Sequence, residues 1–141
     1  MNTGWAVPLA LCAATAVLLG CGPDPEHALQ SAQVALEAGD DGASQAAFRR
    51  ALDRHPEDAE LLVFAARFYL REESPDHYKP RLSLHYAHRA CEAAPGRADA
   101  AAAEIEALVA MGQIEDARQR WATASEQHPD DPALALLGEL F

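Results

Sequence analysis

Basic residues are scarce in this chain: 11 Lys and Arg stand against 22 Asp and Glu, a formal net charge of −11. That balance excludes a nucleic-acid partner, because phosphate binding needs a basic stripe that releases counterions. Every charged side chain lies after Cys21. An anionic lipid surface therefore repels the body as a whole, which leaves membrane attachment to covalent acyl chains. Catalytic signatures are missing as well. There is no HExxH, no paired CxxC, no Gly-x-Ser-x-Gly elbow, no phosphate-cradling glycine loop and no CxxCH haem site, so neither an enzyme nor a cofactor or small-molecule substrate is expected.

Long apolar runs are also absent, except one that is short for a membrane span: Trp5 to Gly20 carries no charge and closes in Leu18-Leu19-Gly20-Cys21. A short apolar stretch ending in a small residue is the pattern of a cleaved export segment, although Met1 to Gly4 supplies no Lys or Arg. The sequence Leu-Leu-Gly-Cys resembles the lipobox of bacterial lipoprotein precursors. Cys12 does not fit, because bulky Leu11 precedes it. The resemblance implies a signal peptide over 1–20 and cleavage before Cys21. It also implies diacylglycerol and an N-acyl chain such as palmitate on Cys21, and a tether of 21–24. Two or more acyl chains hold a protein stably on a bilayer where one does not. Lipidation would leave Cys91 without a disulfide partner. Cys91 follows Ala87 and Ala90 on an apolar stripe, where a small buried hydrophobe is expected rather than a reactive thiol.

What the remainder does contain is a repeat. Gly39 to Pro56 and Gly112 to Pro129 have the same length, and each carries an aromatic (Phe48, Trp121), an alanine (Ala51, Ala124) and a histidine (His55, His128) at matching positions. Pro95, preceded at the same offset by Ala90, falls 34 residues before Pro129. A period of that length with helix-compatible contents marks a helical solenoid, whose repeats bury their apolar faces only by stacking.

Local signals divide each period into two helices. Asp24-Pro25-Glu26 reads as an N-cap, a first-turn proline and a first-turn acid, and the helix it opens stops at Gly39. A second helix is expected from Ala43 to Arg54, ended by His55-Pro56. The next pair runs from Ala59 through Leu70 and resumes at Arg81 to Ala93. The Pro56 to Pro95 interval exceeds the regular period, and the extra residues are assigned to a loop over 73–80. The third pair covers Ala98 to Gly112 and Glu115 to Gln127, and Asp131-Pro132 opens a final capping helix over Ala133 to Phe141. The expected domain spans 25–141, with repeats of 25–58, 59–97 and 98–131 and a cap of 132–141.

Ala38-Gly39-Asp40, the trio Ala117, Trp121 and Ala124, and the closing His-Pro-Asp together resemble the tetratricopeptide repeat. The resemblance implies an all-α solenoid of about three helix pairs. It also implies that Ser44, Ser83 and Ala117 sit where neighbouring helices approach closely, and that Phe48 and Trp121 fill gaps between repeats. Such domains hold an extended peptide or a partner helix in a groove lined by their first helices. By the family's spacing that groove takes Glu26, Leu29, Gln33 and Glu37, then Glu60, Val63, Arg67 and Arg71, then Asp99, Ala102 and Glu106. Arg67 and Arg71 share a helix face and can meet a partner carboxylate or pair internally with Glu37, Glu60 or Asp99.

The expected function is a non-enzymatic adaptor, anchored by lipid and facing the periplasm, that binds another envelope protein during assembly of a secretion, pilus or surface system. Gly22 after the cysteine, in place of aspartate, points to the outer membrane by the sorting rule of some double-membraned bacteria. Two other readings remain: a metal-binding or sensing lipoprotein built on His77, His85 and His88, and a structural subunit that oligomerises.

Overall fold

The computed structural model describes residues 24–141, so the signal segment, Cys21 and most of its tether lie outside the described residues. Among the described residues there are seven helices and no strand: α1 (Pro25–Glu37), α2 (Asp41–Arg54), α3 (Ala59–Phe68), α4 (Pro80–Ala93), α5 (Ala98–Ala110), α6 (Ile114–Gln127) and α7 (Pro132–Gly138). No helix among them is long and apolar enough to cross a membrane. The architecture is an all-α stack of three helix pairs and a cap, as the period requires.

Aspartates start four of the helices. The Oδ1 atoms of Asp24, Asp40, Asp58 and Asp131 accept backbone N–H bonds of 2.8, 2.8, 2.9 and 3.0 Å from residues three positions on, each satisfying a first-turn donor. The cap on Asp40 corrects the expected start of α2, which begins at Asp41 rather than Ala43. Gly39 and Gly112 end the first and fifth helices at φ 76° and 74°. There the N–H groups of Asp40 and Gln113 reach the carbonyls of Ala35 and Leu108, both at 2.9 Å. These are Schellman closures, which glycine makes without strain. The cap is shorter than expected: α7 ends at Gly138, and the N–H groups of Leu140 and Phe141 turn back to Leu137 and Gly138. This tightening returns the Phe141 ring to within 5.9 Å of Trp121.

Packing follows the small-residue positions. Ser44, Ser83 and Ala117 are wholly buried, and the hydroxyls of Ser44 and Ser83 have no hydrogen-bond partner, so small volume is what these positions demand. Phe48 is likewise fully buried and meets Phe64, Phe68 and Tyr69 edge to face at 5.7, 5.1 and 6.0 Å. Where the second repeat has Ala87, the neighbouring Tyr86 stacks on Tyr69 at 5.8 Å. The alanine-rich α5 serves two apolar clusters: Ala100 and Ala103 face the first, and Ala101, Ala102 and Ile105 face the second with Leu134 of the cap. The inserted residues do lie between α3 and α4, over 69–79. Arg71 and Ser74 of this loop both hydrogen-bond to Asp41 in the first turn of α2.

Candidate functional site

The first helices α1, α3 and α5 frame a cleft of about 360 Å³. Leu29 and Leu36 of α1 and Val63, Phe64 and Phe68 of α3 give it an apolar floor, and Gln33, Glu60, Arg67, Arg71, Arg97 and Asp99 give it polar walls. The spacings Leu29-Gln33-Leu36 and Val63-Arg67 place these residues in rows along one face of α1 and of α3. Arg71 lies in the loop beyond the end of α3 at Phe68 and so, contrary to expectation, does not share a helix face with Arg67. Of the residues expected in the groove, Leu29, Gln33, Glu60, Val63, Arg67, Arg71 and Asp99 are brought together here. Glu37 and Glu26 are exposed on α1 away from the lining, and Ala102 is wholly buried in the second core.

Glu106 joins the cleft to a second recess, formed by Leu70, Glu72, Tyr78, Glu106, Val109, Ala110, Leu137 and Leu140 between the inserted loop, α5 and the cap. Burial pushes the Glu106 carboxyl above its ordinary range, and the Arg67 guanidinium, 3.7 Å away, opposes that shift.

Neither arginine pairs with Glu37, Glu60 or Asp99, the expected internal partners. Arg71 is bonded to Asp41 at 2.7 Å and lies 4.0 Å from Glu73. The Ser74 hydroxyl and the Arg71 guanidinium hold the Asp41 carboxyl below its usual range. Arg71 thus fastens the loop, and its reversal is not the surface change that helical spacing alone suggests. Glu60 and Asp99 belong instead to Arg97, a residue the spacing did not single out. Arg97 grips Asp99 through two bonds of 2.9 and 2.7 Å and reaches Glu60 at 3.5 Å. The fork holds the Asp99 carboxyl below its ordinary range and raises the Arg97 guanidinium. The proximity of Arg97 to Asp99 in sequence was the one available clue. Among the cations that line this cleft, Arg67 is the least engaged: about half of its side chain is exposed, and its one ion pair among the described residues is the 3.7 Å approach to Glu106.

Cys91 packs against the first apolar cluster, as expected, but it also borders a charged pair. Half-buried, its Sγ lies 3.5 Å from Glu104 and 3.6 Å from Arg120, which itself bonds Glu104 at 2.5 Å. Burial and the nearby carboxylate push the thiol up to about 11, which suppresses the thiolate a reactive cysteine needs. Glu104 of α5 is thereby paired across to α6.

The three histidines do not converge. His77 rests edge-on against Phe68 at 5.4 Å, His85 against Tyr86 at 5.7 Å, and His88 lies between Glu92 and Glu104 at 3.6 and 3.4 Å. Among the described residues no three His, Cys, Asp or Glu side chains are grouped as a metal ion requires.

No curated protein sequence matches the chain. Among solved structures, a mutant O-GlcNAc transferase of Thermobaculum terrenum superposes with a TM-score of 0.63 at 28% identity, over 74% of this chain. The match spans 19% of that enzyme, about a fifth of its length. The second TPR domain of human RPAP3, solved by NMR with the HSP70 peptide SGPTIEEVD, superposes with a TM-score of 0.66 at 16% identity. That match covers 80% of this chain and 93% of the domain. The Tetratricopeptide repeat family model matches residues 80–140, and the fold of the described residues is a tetratricopeptide-like helical repeat.

Proposed function

We propose that this protein is a lipid-anchored adaptor that holds an extended segment of another envelope protein in the cleft of α1, α3 and α5. The observation that carries the reading is the pairing of an apolar floor with an exposed, weakly engaged cation: Leu29, Leu36, Val63, Phe64 and Phe68 line the cleft with Arg67. An extended segment with an apolar side chain and a neighbouring carboxylate satisfies both features at once, the first by burial and the second by a charge-assisted bond. Helix pairs braced by interrepeat aromatics supply a pre-formed site, so little ordering entropy is lost on binding.

A photocrosslinking side chain at Gln33 should capture the partner in intact cells, and Arg67→Glu should lower capture at least about tenfold while leaving the helical circular dichroism unchanged. Capture that survives Arg67→Glu and instead depends on Tyr78 would move the site to the recess beneath the inserted loop.

The anchor belongs to the same proposal, on the strength of the Leu-Leu-Gly-Cys pattern. With only Gly22 and Pro23 between Cys21 and Asp24, and a reach of roughly 3.5 Å per residue step, the domain would sit close against the membrane. Cys21→Ser should abolish incorporation of labelled fatty acid and leave the precursor uncleaved. A label retained on that variant would refute lipidation at Cys21. Placement on the outer membrane facing the periplasm, and service to a secretion, pilus or surface assembly, complete the proposal. Fractionation of the two membranes tests the first of these.

A further inference from the structure

The net charge of −11 conceals a segregation of sign. Among the described residues the ion pairs occupy Arg67, Arg71, Arg97, Arg118 and Arg120. Arg49, Arg50 and Arg54 of α2 and Arg81 and Arg89 of α4 make none. Arg50 and Arg54 are exposed and four apart, hence on one face of α2, and Arg81 is exposed on α4. Arg49 and Arg89 face each other across a cleft of about 370 Å³ between the two helices, with Asp53 as its one acid and Tyr86 in its wall. Arg89 is pre-positioned: its guanidinium lies 5.9 Å over the Tyr86 ring and donates to the Pro56 carbonyl at 2.5 Å. Two further acids lie close to Arg89, so the five arginines outnumber the three acids of these recesses. Glu57 and Glu92 line an adjoining recess together with Pro56 and Arg89, and Glu92 is engaged by His88.

We infer that this α2–α4 face is the surface that the domain lays against a bilayer of anionic phospholipid. The inference rests on the anchored reading for its orientation. The tight Gly39 turn brings the start of α1 and the end of α2 to one end of the pair. The chain therefore leaves Asp24 toward Cys21 on the end where Arg54 lies. A tether of a few residues holds that end at the membrane and leaves the second helices within reach of headgroups. Charge complementarity then selects the face. The Debye length is about 8 Å at physiological salt, so a bilayer in contact with α2 and α4 responds to their arginines and hardly to carboxylates on the far side of the solenoid. Guanidinium forks match phosphate oxygens in geometry, and the part-apolar Tyr86 suits the headgroup boundary. The groove of first helices is on the opposite side of the layer and stays open to its partner. The repulsion expected from net charge thus becomes an orienting force: one face is drawn to the bilayer and the rest is pushed away.

Binding of the full chain carrying Cys21→Ser, which has no acyl acceptor, to vesicles tests this. Vesicles of phosphatidylcholine alone are compared with a two-to-one mixture of phosphatidylcholine and phosphatidylglycerol. The apolar stretch 5–20 contributes alike to both and cancels in the ratio. The mixed vesicles should bind at least about tenfold more tightly, and Arg50→Gln/Arg54→Gln/Arg81→Gln should remove that preference with circular dichroism unchanged. Equal binding to the two vesicle types would overturn the inference, as would a preference retained by the triple variant. Capture of soluble polyglutamate under conditions where the mixed vesicles are not bound would overturn it in favour of an acidic protein partner. Loss of fatty-acid labelling on the natural Cys21 would refute the anchor and leave this measurement standing, so the two failures are separable.

Discussion

Replacing Phe48 by alanine is expected to lower the stability of the chain by about 3 to 5 kcal/mol. The ring has no exposed surface and is met edge-on by Phe64, Phe68 and Tyr69, so its removal takes away burial and three aromatic contacts together. The cavity cannot close easily. Its walls belong to α2 and α3, and α3 is itself packed against α4 and α5. In a solenoid this loss falls on the interface between the first two repeats. Urea unfolding followed by helical circular dichroism should show the midpoint falling. An unchanged midpoint would mean that the ring does not fill the space between α2 and α3.

Trp121→Ala is expected to cost about 3 kcal/mol, the lower end of the range for such truncations, because the indole is half-buried. Its contacts are concentrated on the cap: Nε1–H donates to the Leu134 carbonyl at 2.7 Å, and the ring faces Phe141. The fit is close enough that a Cβ on residue 138 would stand 2.6 Å from Cζ2 of the indole, which explains why glycine is found there. Losing the ring should therefore release α7 before the rest of the stack unfolds, exposing Ile105 and Leu134 of the second core. Limited proteolysis should cut the variant within 132–141 under conditions that spare the parent, and the melting temperature should fall. A variant that melts like the parent and resists cleavage would place the cap elsewhere.

These two positions also show how legible the fold was. Phe48 and Trp121 were found from periodicity alone, because a repeat built to stack must return its large and small residues at fixed intervals. Gly39 and Gly112 were legible for a similar reason: few residues other than glycine take a positive φ cheaply at a helix end. The start of α2 was misread because Asp40 follows a turn glycine and looks like part of the turn, whereas its carboxylate caps the helix.

The groove was legible as rows and not as pairs. Leu29, Gln33, Val63 and Arg67 fall on faces set by helical spacing, but the partner of each charge depends on which element crosses which. Arg71 found Asp41 through a loop with no counterpart in the other repeats. Arg97 took Asp99 and Glu60 from the end of a turn. Cys91 packs against the apolar cluster that its spacing indicates, but the ion pair beside it, bridging α5 and α6, was not legible.

By itself, then, the sequence determined the class of structure, the number of helix pairs, the location of the insertion and the residues that let helices approach. These are properties of period, residue volume and local backbone preference, all written along the chain. Only the tertiary structure decided which cation of the groove is least engaged, where the recesses lie, and that, among the described residues, the unpaired arginines share the α2–α4 face while most of the remaining cations are neutralised. Charge pairing is a relation between residues distant in sequence, and its geometry exists only once the helices are stacked.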